Sequence, residues 1–174
     1  MSKSRSRNWV YQFVHTEEVW IETTLKGREF ENKFLRISTD GTITVKGKPH
    51  GGYAWDGCSP KKDFLHIRWG TPDGAYHYAL GKPYTYYASL FHDAIYQYKN
   101  EGVPITRKES DLLFQELLRQ VDFYWGWLYV FAVRAFGGFY GAWDYPGPSQ
   151  QEVKILGCSW EEDLRSSSPE RFDR

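Results

Sequence analysis

Apolar and polar residues alternate along the first part of the chain, a pattern typical of strands that bury one face. The segments 9–14, 19–25, 34–38 and 42–45 show this alternation. The last two are separated by Asp40-Gly41, and an Asp-Gly pair between two β-branched runs favours a tight hairpin because glycine accepts positive φ angles. We therefore predict an antiparallel sheet of about four strands between residues 9 and 46.

From residue 84 onwards the apolar residues recur every three or four positions, which is the period of a helix face. The spacing predicts one helix over 84–100 that ends at Gly102. A second helix is predicted to begin at Thr106, which stands three residues before Glu109 in the arrangement of a capping box. A third is predicted over 125–136. The connection between the first two is short, so we expect them to be antiparallel neighbours.

Glycine and proline recur throughout 49–83, between the predicted sheet and the predicted helices. Aromatic residues are interleaved with them, which favours an ordered loop, and long ordered loops in compact domains are usually functional. The segment 151–174 carries alternating charges and a Ser-rich stretch, so we predict a loosely packed or disordered tail. The pattern thus indicates one α+β domain over 1–150, with strands in 9–46 and helices in 84–141.

Charge and cysteine content exclude several classes of protein. The chain has 174 residues with 22 Lys+Arg and 22 Asp+Glu, so no surplus of positive charge favours nucleic acid, and we expect no such partner. Two distant cysteines, Cys58 and Cys158, make neither a zinc cluster nor a disulfide framework. No apolar run follows the basic start, so we expect no signal peptide and synthesis in the cytoplasm.

The segment 123–143 has the length of a membrane span and only one charged residue, Arg134. Its four glycines weaken a helix, and its apolar content is aromatic and alanine rather than leucine, isoleucine and valine. We therefore expect a buried or interface-facing helix rather than a span. Whether its aromatic residues touch a membrane is left open by the sequence.

The strongest chemical signal is His92-Asp93, with Tyr96 following on the same predicted helix. Neighbouring helical side chains point about 100° apart, so we expect His92 and Asp93 to have different partners. Asp111, early on the second helix, can lie beside His92, set the tautomer of the imidazole and leave its other nitrogen free to take a proton from water. Asp93 and the loop residues Asp56-Gly57 offer the oxygen ligands that a hard cation prefers.

The same residues also fit a structural interpretation, in which the histidine and the aspartates form a buried polar network between two helices. A helical Asp near an N-terminus, such as Asp111, also interacts favourably with the helix dipole. The residues themselves leave these two interpretations open.

Four motifs, taken in order, resemble a known pattern. They are Trp55-Asp56-Gly57-Cys58, then Phe91-His92-Asp93 with Tyr96, then Ser110-Asp111-Leu112-Leu113-Phe114 after Arg107, and finally the Tyr-Val-Phe-Ala-Val-Arg-Ala-Phe-Gly run at 129–137. This order resembles a family of phage and bacterial proteins without an assigned activity and, more distantly, the small prokaryotic secreted phospholipases A2. The resemblance covers about residues 55–137.

The resemblance to the phospholipases A2 implies a calcium-dependent ester hydrolase that acts on glycerophospholipids, with a phospholipid or membrane surface as its partner. By this resemblance His92 is the base that activates water and Asp111 is its orienting carboxylate, with Tyr96 as a supporting residue. The implied calcium ligands are Asp93, Asp56 and the carbonyl oxygen of Gly57.

The chain also departs from the secreted enzymes. It has Ser89 where they carry the cysteine that pairs with the loop cysteine, so Cys58 lacks that partner and the loop must be held otherwise. The predicted N-terminal sheet is an addition. The alternative is a non-catalytic, phage-type structural or interaction protein that keeps the His-Asp scaffold as a polar core network and binds a protein partner in phage assembly. Delivery from the cytoplasm, association with a virion and oligomeric state are left open.

Overall fold

The computed structural model of this chain describes residues 13–48, 51–55, 62–64, 67–69, 76–123, 126–127, 130, 145, 147–150 and 152–166. An N-terminal antiparallel sheet is followed by helices, so the fold class is α+β, as the sequence predicts. The strands are β1 (Phe13–His15), β2 (Glu18–Thr23), β3 (Phe30–Glu31), β4 (Leu35–Ile37), β5 (Thr42–Lys46), β6 (Tyr53–Trp55), β7 (Lys62–Phe64), β8 (Ile67–Trp69), β9 (Tyr76–His77), β10 (Lys82–Pro83) and β11 (Ile155–Cys158). The helices are α1 (Tyr86–Gln97), α2 (Arg107–Gln120) and α3 (Glu161–Ser166), with a 3₁₀ turn at Lys99–Glu101.

The largest sheet of the described residues has five antiparallel strands in the order β11-β2-β5-β4-β3. Alternate residues of β2, Val19 and Ile21, are buried in the core, as the period of two in the sequence requires. Leu90 and Phe91 of α1 belong to the same core, which therefore lies between the sheet and the helices. β1 pairs with β6 in a separate two-stranded ribbon.

The hairpin between β4 and β5 turns at Asp40-Gly41, which confirms the turn predicted from that pair. Gly41 has a φ angle of +96°, which residues with a Cβ atom rarely adopt. A Cβ atom at this position would also collide with the carbonyl oxygen of Thr23. Glycine is therefore required at position 41 for both a conformational and a steric reason.

The C-terminal segment differs from the predicted loose tail. β11 pairs antiparallel with β2 and forms one edge of the five-stranded sheet. Trp160, just after β11, is buried and stacks on Tyr87 of α1 with ring centroids 3.8 Å apart. The charged residues of 152–166 lie mainly on exposed positions between buried apolar ones, so the polar composition reflects a solvated face rather than disorder. Positions 167–174 lie outside the described residues.

α1 and α2 are antiparallel neighbours, as the short connection predicts. On α1, Tyr96 follows His92 by one turn. The ring of His92 packs edge-on against Phe114 of α2, whereas the hydroxyl of Tyr96 donates to Asp111, which comes three residues before Phe114. The contacts thus run in opposite directions along the two helices. This arrangement lets side chains from the second half of α1 meet side chains from the first two turns of α2.

The ends of these helices follow the predicted signals. Gly102 has a φ angle of +86° after the 3₁₀ turn that extends α1. Thr106 caps α2, and its hydroxyl accepts from the backbone N–H of Glu109 while the Glu109 carboxylate accepts from the backbone N–H of Thr106. The capping box read from the sequence is therefore confirmed.

The predicted third helix, 125–136, lies mostly outside the described residues, although Gly126, Trp127 and Val130 have helical conformation. In the part of the chain that the structure describes, no helix is long and apolar enough to cross a membrane.

Candidate active site

The facing sides of α1 and α2 carry a polar network centred on Asp111. The Nε2 atom of His92 lies 3.2 Å from Oδ1 of Asp111. The hydroxyl of Tyr96, one helical turn after His92, donates to the same oxygen at 2.9 Å. The other carboxylate oxygen, Oδ2, lies 4.0 Å from Nε of Arg107. The sequence-predicted residues His92, Tyr96 and Asp111 are thus brought together by the antiparallel pairing of the two helices.

The imidazole of His92 is held between aromatic rings. Its centroid lies 4.1 Å from that of Tyr96 and 5.3 Å from that of Phe114, and only 9% of the residue is exposed. An ionised carboxylate can only accept hydrogen bonds, so the contact with Asp111 requires the proton on Nε2 of His92. In the neutral ring this leaves the lone pair on Nδ1.

Asp93 lies beside that second nitrogen. Its Oδ1 atom is 3.7 Å from Nδ1 of His92, an ion-pair distance, and 26% of its side chain is exposed. The two residues are therefore coupled electrostatically, although the helical spacing led us to expect different partners.

Burial and charge act in opposite directions on His92. Burial by itself lowers the pKa of this imidazole, but the hydrogen bond with Asp111 and the nearby Asp93 outweigh it, so the pKa is raised above its usual value. Burial, followed by the negative charge of Asp111, raises the pKa of the Tyr96 hydroxyl. Tyr96 therefore stays protonated and remains a donor to Asp111.

The strand that leads into the predicted metal loop is attached to α1. Trp55, the last residue of β6, donates its indole N–H to the hydroxyl of Ser89 at 3.1 Å, and that hydroxyl in turn donates to the carbonyl oxygen of Tyr86. The ring of Trp55 also packs edge-on against Tyr86, with centroids 4.9 Å apart. A hydrogen bond at Ser89 therefore connects α1 to the residue that precedes the predicted loop.

The predicted calcium ligands Asp56 and Gly57 lie outside the described residues. Of the predicted ligands, Asp93 is described, and its partly exposed carboxylate is the type of oxygen donor that calcium prefers. Within the described ranges, no group of three His, Cys, Asp or Glu side chains is placed to hold a metal ion. The predicted site therefore depends on the contribution of the loop.

Sequence reasoning missed a buried ion pair near this network. Arg28, in the loop after β2, donates from both terminal nitrogens to the carboxylate of Glu109 at 2.8 Å. The capping box identified Glu109, but no local pattern could indicate a partner 81 residues earlier in the chain. Burial alone would raise the pKa of Glu109, but hydrogen bonds from Arg28, Gln150 and Thr106 lower it to about 2.

A shallow, open depression lies at the other end of α2. It is lined by Glu116, Arg119, Gln120, Asp122 and Phe123. Neither His92 nor Asp111 contributes to it, so it is separate from the polar network.

Comparison with known proteins adds no relative to this description: no family model, no curated protein and no solved structure matches the chain. The function is therefore argued from the residues and the geometry of the site.

Proposed function

We propose that this chain is a calcium-dependent ester hydrolase of the phospholipase A2 type, with His92 as its general base. The observation that supports this most directly is the pair of contacts on one oxygen of Asp111, from Nε2 of His92 and from the hydroxyl of Tyr96. These contacts orient the imidazole and hold its proton on Nε2. The Nδ1 lone pair is then the group that takes a proton from a water molecule attacking an ester.

The positive charge that forms on His92 during this transfer has two carboxylates to stabilise it. Asp111 lies beside Nε2 and Asp93 beside Nδ1. The raised pKa of His92 has the same cause, since both carboxylates favour the protonated ring. Tyr96 restrains Asp111, so the carboxylate does not have to reorganise when the charge appears.

Asp93, together with Asp56 and the carbonyl oxygen of Gly57, would hold calcium. When bound there, calcium supplies Lewis acidity to the ester carbonyl and a contact for the phosphate of a glycerophospholipid. Support comes from the attachment of Trp55, the residue directly before Asp56, to Ser89, which is one helical turn before Asp93.

The test is an assay of fatty-acid release from a fluorescent phospholipid, with calcium and with a chelator. We expect calcium-dependent turnover by the wild type and loss of turnover in His92→Ala. His77→Ala is the matched control, because His77 is also a buried histidine but caps the turn at 77–80, away from the α1–α2 network. Absence of calcium-dependent turnover in the wild type, or full activity in His92→Ala, would overturn the proposal.

The second candidate is a non-catalytic, phage-type structural or interaction protein. The observation that favours it is the burial of His92 between two aromatic rings, with a carboxylate near each ring nitrogen. A polar network satisfied within the protein stabilises the helix pair without any chemistry. In that case His92→Ala should lower the stability by about 1–3 kcal/mol, because the buried carboxylate of Asp111 loses one of its two hydrogen-bond donors on Oδ1. An inactive wild type together with this loss of stability would support the second candidate.

A further inference from the structure

A buried carboxylate in the first turn of α2 accepts hydrogen bonds from several parts of the protein. Glu109 is fully buried and accepts five hydrogen bonds from the described residues, each between 2.8 and 2.9 Å. Two come from Arg28, two from Thr106 and one from the backbone N–H of Gln150. A carboxylate with this many donors has little freedom to move.

Apart from Thr106 in the cap of α2, the donors come from two distant parts of the chain. Arg28 belongs to the loop after β2 and also donates to the carbonyl oxygen of Pro104, just before α2. Gln150 belongs to the segment that leads to β11, and its side chain donates to the carbonyl oxygen of Thr24, which follows β2. Glu109 thus attaches the start of α2 to the sheet on one side and to the C-terminal segment on the other.

Asp111 follows Glu109 by two residues on the same helix. Its Oδ1 atom must meet both the imidazole of His92 and the hydroxyl of Tyr96, at 3.2 and 2.9 Å. A displacement of α2 by about 1 Å away from α1 would lengthen both contacts beyond hydrogen-bond range. The position of the first turn of α2 therefore controls the contact that orients His92.

We propose that Arg28 and Glu109 are positioning residues for the candidate base: their buried ion pair fixes the first turn of α2 and so holds Asp111 on Nε2 of His92. The catalytic part of this inference rests on the proposed function. Neither residue touches a reacting atom, and both act through Asp111.

The variant that tests this is Arg28→Lys. It keeps the positive charge but loses the two-nitrogen fork, so one of the paired hydrogen bonds to Glu109 is lost. Arg36→Lys is the matched control, because Arg36 makes an ion pair with Glu18 on the exposed face of the sheet. The double variant Arg28→Met/Glu109→Gln removes both buried charges together, which proteins often tolerate better than the loss of one.

Two readouts separate positioning from stability, both measured at a temperature where every variant is folded. The first is the hydrogen-bonded Nε2–H resonance of His92 in ¹⁵N-labelled protein, assigned by its loss in His92→Gln. We expect it to shift or broaden in Arg28→Lys and in the double variant but not in Arg36→Lys. The second is phospholipid hydrolysis, in which we expect kcat to fall by about 10²-fold while KM is unchanged.

A folded Arg28→Lys protein with the wild-type His92 resonance and wild-type kcat would overturn the inference. If the wild type shows no calcium-dependent turnover, the proposed function fails, and the resonance alone then decides whether the ion pair positions Asp111. If the double variant does not fold, the resonance and kcat of Arg28→Lys alone decide whether the ion pair positions Asp111. A lowered melting temperature with an unchanged resonance assigns the ion pair to stability only and contradicts positioning.

Discussion

The indole N–H of Trp55 donates to the hydroxyl of Ser89 at 3.1 Å, three residues before His92 on α1. Trp55 directly precedes Asp56, Gly57 and Cys58 in the chain. The hydrogen bond therefore connects the start of the predicted metal loop to the helix that carries His92 and Asp93. In the secreted phospholipases A2 a disulfide joins the calcium loop to the catalytic helix, and the proposed function implies that Ser89 stands at the corresponding position.

The variant Ser89→Cys tests whether the resemblance extends to the loop. If the loop follows the path of the phospholipases, the new thiol should form a disulfide with Cys58, which requires Cβ atoms about 3.5–4.5 Å apart. After unfolding in denaturant without reductant, the oxidised variant should titrate as one free thiol, that of Cys158, instead of three.

Ser110→Cys is the control for this experiment, because Ser110 is equally buried but lies on α2. It should keep all its thiols free. If Ser89→Cys also titrates as three free thiols, Cys58 does not approach α1 at that position, and the loop does not follow the path that the proposed function implies.

Asp111→Asn should retain the fold but lose catalysis. An amide can present an N–H to Nε2 of His92, which favours the tautomer with the proton on Nδ1 and removes the lone pair that accepts the proton from water. The corresponding change in the serine-protease triad lowers kcat by about 10⁴-fold, and we expect a loss of similar size here. Glu116→Gln, on the same helix and paired with Arg119 at the surface, should hydrolyse phospholipid like the wild type. Equal activity in Asp111→Asn would contradict His92 as the base.

Stability should fall in acid because of Glu109. The pKa of Glu109 is lowered from 4.5 to about 2 in the folded protein, so between these pH values the unfolded state binds a proton that the folded state does not. The contribution of Glu109 is therefore complete above pH 4.5 and is lost as the pH falls toward 2. A pKa difference of this size corresponds to about 3 kcal/mol in the free energy of unfolding.

Urea unfolding at a series of pH values measures this dependence. The variant Arg28→Met/Glu109→Gln should show a shallower decline below pH 4.5, since the titrating pair is absent. An identical decline in the wild type and the double variant would assign the acid sensitivity to other carboxylates.

Trp160→Ala should destabilise the protein by about 3–5 kcal/mol, the usual cost of removing a buried Trp. Trp160 stacks on Tyr87 with planes 4° apart, and its loss would leave a cavity between the C-terminal segment and α1. Leu156→Ala is the control, because 52% of Leu156 is exposed and its truncation leaves no cavity. Thermal melts that show equal small losses for both variants would mean that the C-terminal segment adds little to the core.

The local patterns in the sequence predicted the local structure. A period of two identified β2, β4 and β5, and Asp40-Gly41 identified the turn between the last two. Thr106 and Glu109 located the start of α2. The short loop between α1 and α2 was enough to predict that His92 faces Asp111, because an antiparallel helix pair leaves few ways to align two short helices.

Contacts between distant parts of the chain were decided only by the tertiary structure. Arg28 and Glu109 meet across 81 residues, and Trp55 and Ser89 across 34. Likewise, the C-terminal segment has a composition typical of disorder, but Trp160 packs on Tyr87 and β11 forms an edge of the sheet. Periodicity and capping signals depend on neighbours within a few residues, whereas these contacts depend on which surfaces the folded elements bury together. Which surfaces are buried together depends on the free energy of the whole core, and this cannot be calculated from a local sequence pattern.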